Sequence, residues 1–125
     1  FENPAIVQGD YSYKSGYAAL SKIVSQASLP CGILCANDLM GLGTIDAAKQ
    51  LKLDIPQDIG VIGFDNNFMS EWPNYQLTSL QQPTVEMAKK GVELLFKSID
   101  VPETPSQVHR YNFDLIQRKS TDRKV

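Results

Sequence analysis

The stretch Ile59-Gly60-Val61-Ile62-Gly63-Phe64, followed at once by Asp65-Asn66, decides the fold of this chain. Two further apolar runs are built in the same way: residues 31–36 stop at Asn37-Asp38, and residues 77–80 stop at Gln81-Gln82. Short apolar runs separated by helix-length amphipathic stretches are typical of buried parallel strands. The pattern therefore predicts an α/β protein in which a parallel, Rossmann-like sheet is flanked by helices.

The polar residues that follow these runs predict a ligand site. The carboxyl ends of parallel strands share one edge of the sheet, and ligands bind in the crevice at that edge. We therefore expect Asn37, Asp65 and Gln82 to lie there. Two amides and a carboxylate suit a polyhydroxylated or amide-bearing small molecule better than a metal ion. Leu34 would add an apolar floor, and Trp72, in a loop that crosses the strand ends, a ligand or lid contact.

Several of these residues also have a structural alternative. Asp65 can cap the turn that follows its strand, and Leu34 would be core in any interpretation. Asp38 stands where the N-cap of a helix belongs, and we expect it to cap the helix rather than to bind ligand.

The remaining elements are predicted from helical spacing and from turn residues. Three helices are expected: one capped by Ser12 that reaches about Ala27, one after Asp38, and one from Gln82-Pro83 to about Ile99 with proline at its first position. Residues 66–76 are expected to form a loop and residues 108–117 a weaker strand. Residues 118–124 are expected to form a frayed, basic tail.

Length and composition are those of an ordinary globular domain. The chain has 125 residues, of which 42% are hydrophobic and 21% charged, and this length fits one domain with a sizeable core. Its formal net charge of −2 is unfavourable for binding the phosphate backbone of a nucleic acid. It has no apolar stretch of the roughly 18–20 residues that a membrane span needs, and no secretion signal.

The two cysteines predict neither a disulfide nor a metal site. Cys31 and Cys35 lie on one expected strand, about 13 Å apart at roughly 3.3 Å per residue, whereas a disulfide needs Cα atoms within about 7 Å. The single histidine, His109, is far away in sequence and no other ligands have suitable spacing. We expect reduced, buried thiols, and no metal, cofactor or catalytic residue.

Longer motifs resemble those of one known family. They are, in chain order, residues 7–16, 34–43 (Leu34-Cys35-Ala36-Asn37-Asp38-Leu39-Met40-Gly41-Leu42-Gly43), 53–66, 77–83 and 115–121. In this order and spacing they resemble the effector-binding core of the lac-repressor-like family of bacterial transcription regulators. The resemblance covers nearly the whole chain.

The resemblance implies one subdomain of a periplasmic-binding-protein-like fold. Residues 1–125 would be the carboxyl-terminal effector-binding and dimerising subdomain of a longer regulator, whose DNA-binding head and first subdomain lie outside this chain. The first residue, Phe1 rather than Met, agrees with a fragment. In the family, the position that matches Asp65 commonly contacts the effector and the one that matches Asn37 often does. Gln82 would lie where the chain crosses to the other subdomain, as hinge and ligand together.

Two departures from the family pattern leave the effector open. Val7 stands near a position where an arginine is frequent, and Leu34 stands where an aromatic ring often stacks on the effector. The expected partners are a small-molecule effector that is sugar-like or nucleobase-like, a second copy of the chain in a homodimer, and operator DNA reached only through the missing head. No membrane partner is expected.

The expected function is effector sensing in a cytoplasmic bacterial repressor, and not catalysis. A periplasmic sugar-binding receptor of the same fold is the alternative, and a signal peptide upstream would distinguish it. An enzyme or phospho-receiver with Asp65 as nucleophile would need an acidic pair for Mg²⁺ and a lysine late in the sheet. The sequence has neither at suitable positions.

Overall fold

A computed structural model describes residues 4–103 and 105–123 of the chain. Within these residues the sheet strands alternate with helices, as the hydrophobic pattern predicts. The elements are α1 (Tyr13–Gln26), β1 (Cys31–Leu34), α2 (Asp38–Gln50), β2 (Ile59–Phe64), a 3₁₀ helix (Phe68–Glu71), β3 (Thr78–Gln81), α3 (Thr84–Asp100) and β4 (Asp114–Ile116).

The strands form one sheet in the order β1-β2-β3-β4. β1 pairs with β2 in parallel, with Cys31 opposite Ile59 and Leu34 opposite Ile62. β3 joins β2 in the same direction, with Thr78 opposite Ile62. The parallel pairing of the three predicted strands is therefore confirmed, and their carboxyl ends share one edge.

The chain divides into two compact units. The first unit contains the described residues up to Gln81 together with those from Leu115 onward, and the second contains Gln82–Asp114. None of the helices in the described ranges has both the length and the apolar character that crossing a bilayer requires.

The core of the first unit lies where α1 packs on α2 and α2 packs on β2. Its fully buried side chains include Leu20, Ile45 and Ile59. α1 and α2 approach so closely at Gly16 that a Cβ there would overlap the backbone of Met40, so this contact requires glycine. α2 is thereby fixed on the sheet, and its first turn is fixed beside the end of β1.

Over residues 118–123 the carboxyl-terminal tail is not frayed, contrary to the expectation from its basic, polar sequence; residue 124, the last of the predicted tail, lies outside the described residues. Ser120 is 1% exposed, and its hydroxyl donates to the carbonyl of Val61 at 2.6 Å and accepts from the backbone N–H of Thr78 at 2.8 Å. Its carbonyl accepts from the N–H of Val61 at 3.0 Å, and its own N–H donates to the carbonyl of Gln76 at 3.0 Å. Buried backbone groups need partners, and the tail supplies them between β2 and β3.

The second unit contains α3, and no residue of this helix is buried. Its apolar stripe agrees with the predicted pattern, and the side chains that form it are more than half exposed: Val85, Val92, Leu95, Phe96 and Ile99. Pro83 is the N-cap rather than the first helical residue, and no side chain caps the helix. The sequence placed this proline one position too far into the helix.

Candidate functional site

The turn after β2 has an unusual backbone. Asp65 and Asn66 have φ values of 107° and 52°, a region that residues with a Cβ seldom adopt. The backbone N–H of Asp65 still donates to the carbonyl of Leu80 at 2.9 Å, so the turn begins while β2 is paired with β3. Asp65 is exposed. It therefore lies at the carboxyl edge of the sheet, where the sequence places it.

The residue that follows Asp65 is held on both sides. The side-chain amide of Asn66 donates to Gln81 Oε1 at 2.9 Å, and its Oδ1 accepts from Arg118 Nη2 at 2.7 Å. Arg118 also donates to the carbonyl of Leu77 at 2.8 Å. The turn is thus fastened to β3 and to the carboxyl-terminal tail, and the side chain of Asn66 is committed to these contacts.

Asp38 does not cap α2, which corrects the prediction from sequence. The cap is Asn37, whose Oδ1 accepts from the backbone N–H of Met40 at 2.9 Å. Asn37 is the last residue with extended backbone, at φ −152° and ψ 175°, and an N-cap needs that conformation. Asp38 is the first residue of the helix, and its side chain turns inward instead.

Asp38 is a buried carboxylate at the centre of this edge. It is 1% exposed. Its Oδ1 accepts from the hydroxyl of Ser79 at 2.6 Å, and its Oδ2 accepts from the hydroxyl of Ser70 at 2.8 Å and from the backbone N–H of Asn67. These bonds join α2, β3 and the segment after β2, so Asp38 has a structural role that differs from the predicted cap.

Asn37 lies at the same edge and is engaged in local contacts. Besides capping α2, it donates from Nδ2 to the carbonyl of Tyr11 at 3.0 Å. An amide has two N–H donors and a carbonyl oxygen with two acceptor sites, so one donor and one acceptor site of Asn37 are not used by these two bonds. Its ligand role stays a prediction.

Leu34 is not a core residue, contrary to expectation. It is the last residue of β1 and is 72% exposed. It lines a cavity of about 330 Å³, together with Tyr11, Ala36 and Met40, at the carboxyl end of β1. The sequence suggested core because a strand with both faces covered buries every residue, whereas β1 buries only one of its four. Its predicted contribution to a site floor fits this position and is untested.

Trp72 follows the 3₁₀ helix, and its ring lies near two other aromatic rings. Its ring lies 5.8 Å from that of Phe68 and 6.4 Å from that of Tyr75, measured between centroids. Since β2 and β3 are parallel, the segment between them must return the chain to the other edge of the sheet. Its first residues lie at the carboxyl edge, where Asn67 and Ser70 both donate to Asp38. The ligand or lid role of Trp72 stays a prediction.

A second polar cluster surrounds Asp46 on α2. The hydroxyls of Tyr13 and Tyr75 both donate to Asp46 Oδ2 at 2.8 Å, and Lys49 donates to Oδ1 at 3.0 Å. Burial acts to raise the pKa of Asp46, but the hydrogen bonds from Tyr75, Lys49 and Tyr13 outweigh it and lower that pKa. Burial, together with the hydrogen bond to Asp46, raises the pKa of Tyr13 to about 12. This cluster joins α1, α2 and the segment before β3.

Gln82 is the first residue of the second unit. Its carbonyl accepts from the backbone N–H of Thr84 at 2.9 Å, at the start of α3. Its assignment to the ligand site stays a prediction.

The remaining donor groups do not form a metal site. Cys31 and Cys35 are free, and burial raises the pKa of both thiols. Over residues 4–103 and 105–123, no three His, Cys, Asp or Glu side chains are grouped so that they could hold a metal ion.

Comparison with protein families and curated proteins gives a consistent match. The family described as periplasmic binding protein-like domain matches residues 2–121. The HTH-type transcriptional repressor PurR of Serratia proteamaculans (strain 568) is 38% identical over 115 residues, which are 92% of this chain and 34% of that protein. PurR of Pasteurella multocida (strain Pm70) is 32% identical over 120 residues, 96% of this chain and 36% of that protein. The chain spans about a third of the length of these curated relatives.

Solved structures give the same result. A LacI family transcriptional regulator from Enterococcus faecalis V583 with bound ribose matches 92% of this chain and 42% of its own length, with a TM-score of 0.79 and 29% identity. The complex of the transcriptional regulator CelR with cellobiose matches 90% of this chain and 34% of its own, with a TM-score of 0.79 and 31% identity. These relatives are repressors and regulators rather than enzymes, in agreement with the expectation from sequence.

Proposed function

This chain belongs to the periplasmic binding protein-like domain family, in the form that LacI-type transcription regulators carry, and from that premise we propose that it is the effector-sensing part of a bacterial transcriptional repressor. Residues 1–125 would form the carboxyl-terminal effector-binding and dimerising subdomain of a longer protein. The length of the curated relatives, about three times that of the matched segment, supports this placement.

The observation that supports an effector site best is the position of Asp65. Asp65 is an exposed carboxylate at the carboxyl edge of the sheet, on a turn whose backbone is held in the left-handed region. A carboxylate accepts from two hydroxyls or amines of a ligand, and such charge-assisted bonds are about twice as strong as neutral ones. Leu34, exposed at the carboxyl end of β1, would offer apolar contact, and Asn37 and Gln82 would complete the polar groups.

The effector would be a sugar-like or nucleobase-like small molecule. The regulators similar to this chain bind ribose in one solved structure, cellobiose in a second and lactose in a third, the last from Arthrobacter sp. FB24. All three ligands carry the neighbouring hydroxyls that a carboxylate can accept from. The effector class of this chain is proposed by that analogy.

The mechanism would be a shift between two arrangements of the whole regulator. An effector bound between this subdomain and the first one would close the cleft and change the relative rotation of two subunits, and with it the affinity of the DNA-binding heads for the operator. An effector shifts such an equilibrium only by the difference in its affinity for the two states. The chain itself would not contact DNA, since its net charge is −2.

A homodimer is the assembly we propose. Exposing the stripe of α3 to water forfeits about 1.5–3 kcal/mol for each large apolar side chain that could be buried, and a domain of this size is stable by only about 5–15 kcal/mol. A second copy or the first subdomain would cover it, and closed two-fold pairs are the commonest assembly. Light scattering at several protein concentrations measures the molar mass in solution. A mass that stays at that of the monomer would contradict the proposed homodimer.

The effector site is tested by calorimetric titration of the full-length protein encoded by the gene. The ligands are D-ribose, cellobiose, lactose and the common nucleobases. Asp65→Asn keeps the shape of the side chain and tolerates positive φ, and we expect it to weaken binding of the tightest ligand by about 1.5–3 kcal/mol, roughly 10- to 150-fold. Asp122→Asn, an exposed site with the same charge change, is the control. Wild-type affinity in Asp65→Asn would remove Asp65 from the site.

A further inference from the structure

We propose that Asp38 is a positioning residue whose buried carboxylate holds the turn of residues 65–67 in the conformation that presents Asp65 to an effector. The inference rests on the proposed function, because that function places Asp65 in the effector site. Asp38 would not touch the effector itself, since it is 1% exposed.

Two short hydrogen-bonded chains connect Asp38 to this turn. In one, the backbone N–H of Asn66 donates to Ser79 Oγ at 3.0 Å, and that hydroxyl donates to Asp38 Oδ1 at 2.6 Å. In the other, the backbone N–H of Asn67 donates directly to Asp38 Oδ2. The two peptide groups that follow Asp65 are therefore both fixed by one carboxylate.

The turn is of a kind that needs such support. Two successive residues with a Cβ, Asp65 and Asn66, have positive φ, and non-glycine residues in sparsely populated regions persist only where the surroundings hold them. Ser79 accepts from the N–H of Asn66, which has positive φ itself and follows Asp65. Asp38 accepts from the N–H of Asn67, the residue after Asn66. Without them, the direction in which the Asp65 side chain leaves the backbone would no longer be fixed.

The chain makes space for this carboxylate although burying it is costly. Gly63 of β2 passes so near that a Cβ there would overlap Asp38 Oδ1. Within the described residues, none of the ion pairs involves Asp38, so its charge is balanced by hydrogen-bond donors alone. A buried charge of this kind is weak support for stability and is better explained by the geometry it specifies.

Amide hydrogen exchange, followed by NMR on the full-length protein, tests the inference without an effector. Asp38→Asn replaces an acceptor with a donor, and Ser79→Ala removes only the hydroxyl that links Asn66 to Asp38. We expect the amide of Asn66 to exchange about tenfold faster or more in both variants, because its bond is weakened or lost. The amides of Val61 and Cys35, bonded to Ser120 and Ile62, report global opening and should keep their protection.

Ser70→Ala is the matched variant. Ser70 is also fully buried and donates to the same carboxylate, at 2.8 Å, but its hydroxyl bonds no amide of the turn. It should leave the exchange of the Asn66 amide within about twofold of wild type. If Ser79→Ala and Ser70→Ala accelerate all amides together, or if neither moves Asn66, Asp38 has only a structural role and the inference is overturned. If Asp38→Asn fails to fold, Ser79→Ala and Ser70→Ala still test the bonded chain from Asn66 through Ser79 to Asp38, and a Ser79→Ala variant with unchanged exchange at Asn66 overturns the inference.

Titration with D-ribose separates this inference from the proposed function. Ser79→Ala should weaken binding about three- to tenfold, and Ser25→Ala, an exposed serine of α1, should not. Loss of ribose affinity in Asp65→Asn with none in Ser79→Ala would keep the proposed site and overturn the positioning role. Absence of ribose binding in the wild type counts against the proposed effector only, since the exchange rates decide the role of Asp38.

Discussion

The two edges of the sheet in the first unit are finished in different ways. At the amino edge, the chain closes on itself: Ser120 lies between β2 and β3, and its hydroxyl, carbonyl and N–H are all bonded to neighbouring backbone groups. At the carboxyl edge, β2 ends in a turn with positive φ that leaves Asp65 exposed. Both edges contain buried polar side chains, but the carboxyl edge presents the exposed carboxylate of Asp65 on a turn whose backbone is held at positive φ.

The difference shows how the backbone of one sheet is held at its two edges. Backbone groups at strand ends need partners wherever they are buried, and at the amino edge the chain's own tail supplies them. At the carboxyl edge the hydroxyl of Ser79 and the carboxylate of Asp38 accept from the N–H groups of Asn66 and Asn67. An exposed polar group on a fixed backbone is what a ligand site needs.

We expect the largest loss of stability from a substitution at the amino edge. Ser120→Ala leaves the buried N–H of Thr78 without its acceptor, and an unsatisfied buried group costs about 1–3 kcal/mol. We expect a loss of that size in urea unfolding, with an unchanged slope against urea. Ser98→Ala on the exposed face of α3 should change stability by less than about 0.5 kcal/mol. If the two variants were equally stable, the tail would not hold the edge together.

At the carboxyl edge we expect a substitution to raise the stability of the protein rather than lower it. Asp65→Gly should stabilise the protein by about 0.5–1 kcal/mol, because glycine adopts positive φ without the cost that a Cβ brings. Asp65→Ala also removes the carboxylate but keeps the Cβ at φ 107°, so the difference between the two variants isolates the backbone strain. Thermal unfolding of both measures it. A glycine variant no more stable than the alanine variant would mean that the turn is not strained.

Much of the fold could be predicted from the sequence, and the failures have identifiable causes. The apolar runs predict three strands, and the predicted bounds of β2 agree with those observed, Ile59–Phe64, because six apolar and glycine residues stand between polar ends. The contacts of the tail and of the turn are not predictable in this way, since serines such as Ser70 and Ser120 have no sequence pattern that marks them as buried. Their burial depends on backbone groups that only the folded sheet brings near them.

Site residues were predicted less well than strands. Position at a strand end located Asp65, but it could not distinguish Asn37, which caps α2, from Asp38, which is buried, because neighbouring residues of these types suit either role. Loop composition alone predicts Trp72 at the strand ends, and its role there stays a prediction.

The cluster around Asp46 should give the smallest effect, and one that depends on pH. Tyr13→Phe removes one hydrogen bond at a partly exposed site, so we expect a loss of about 0.5 kcal/mol near pH 7. The pKa of Tyr13 rises from 10.0 in the unfolded chain to about 12 in the folded protein. Its contribution is therefore complete below pH 10 and is lost as the pH rises from 10 to 12. Unfolding curves of both proteins across this range should converge, and a difference that persists at pH 12 would contradict the role of this hydroxyl.

We propose that the effector binds at the carboxyl edge and not at the amino edge. Amide chemical shifts recorded during titration with D-ribose, or with a ligand that calorimetry finds to bind more tightly, test it directly. We expect the amides of Asn37, Asp65 and Asn66 to shift in proportion to bound ligand, while those of Val61 and Ser120 stay fixed. Shifts concentrated at Val61, Gln76 and Ser120, with the amides around Asp65 unmoved, would contradict the account.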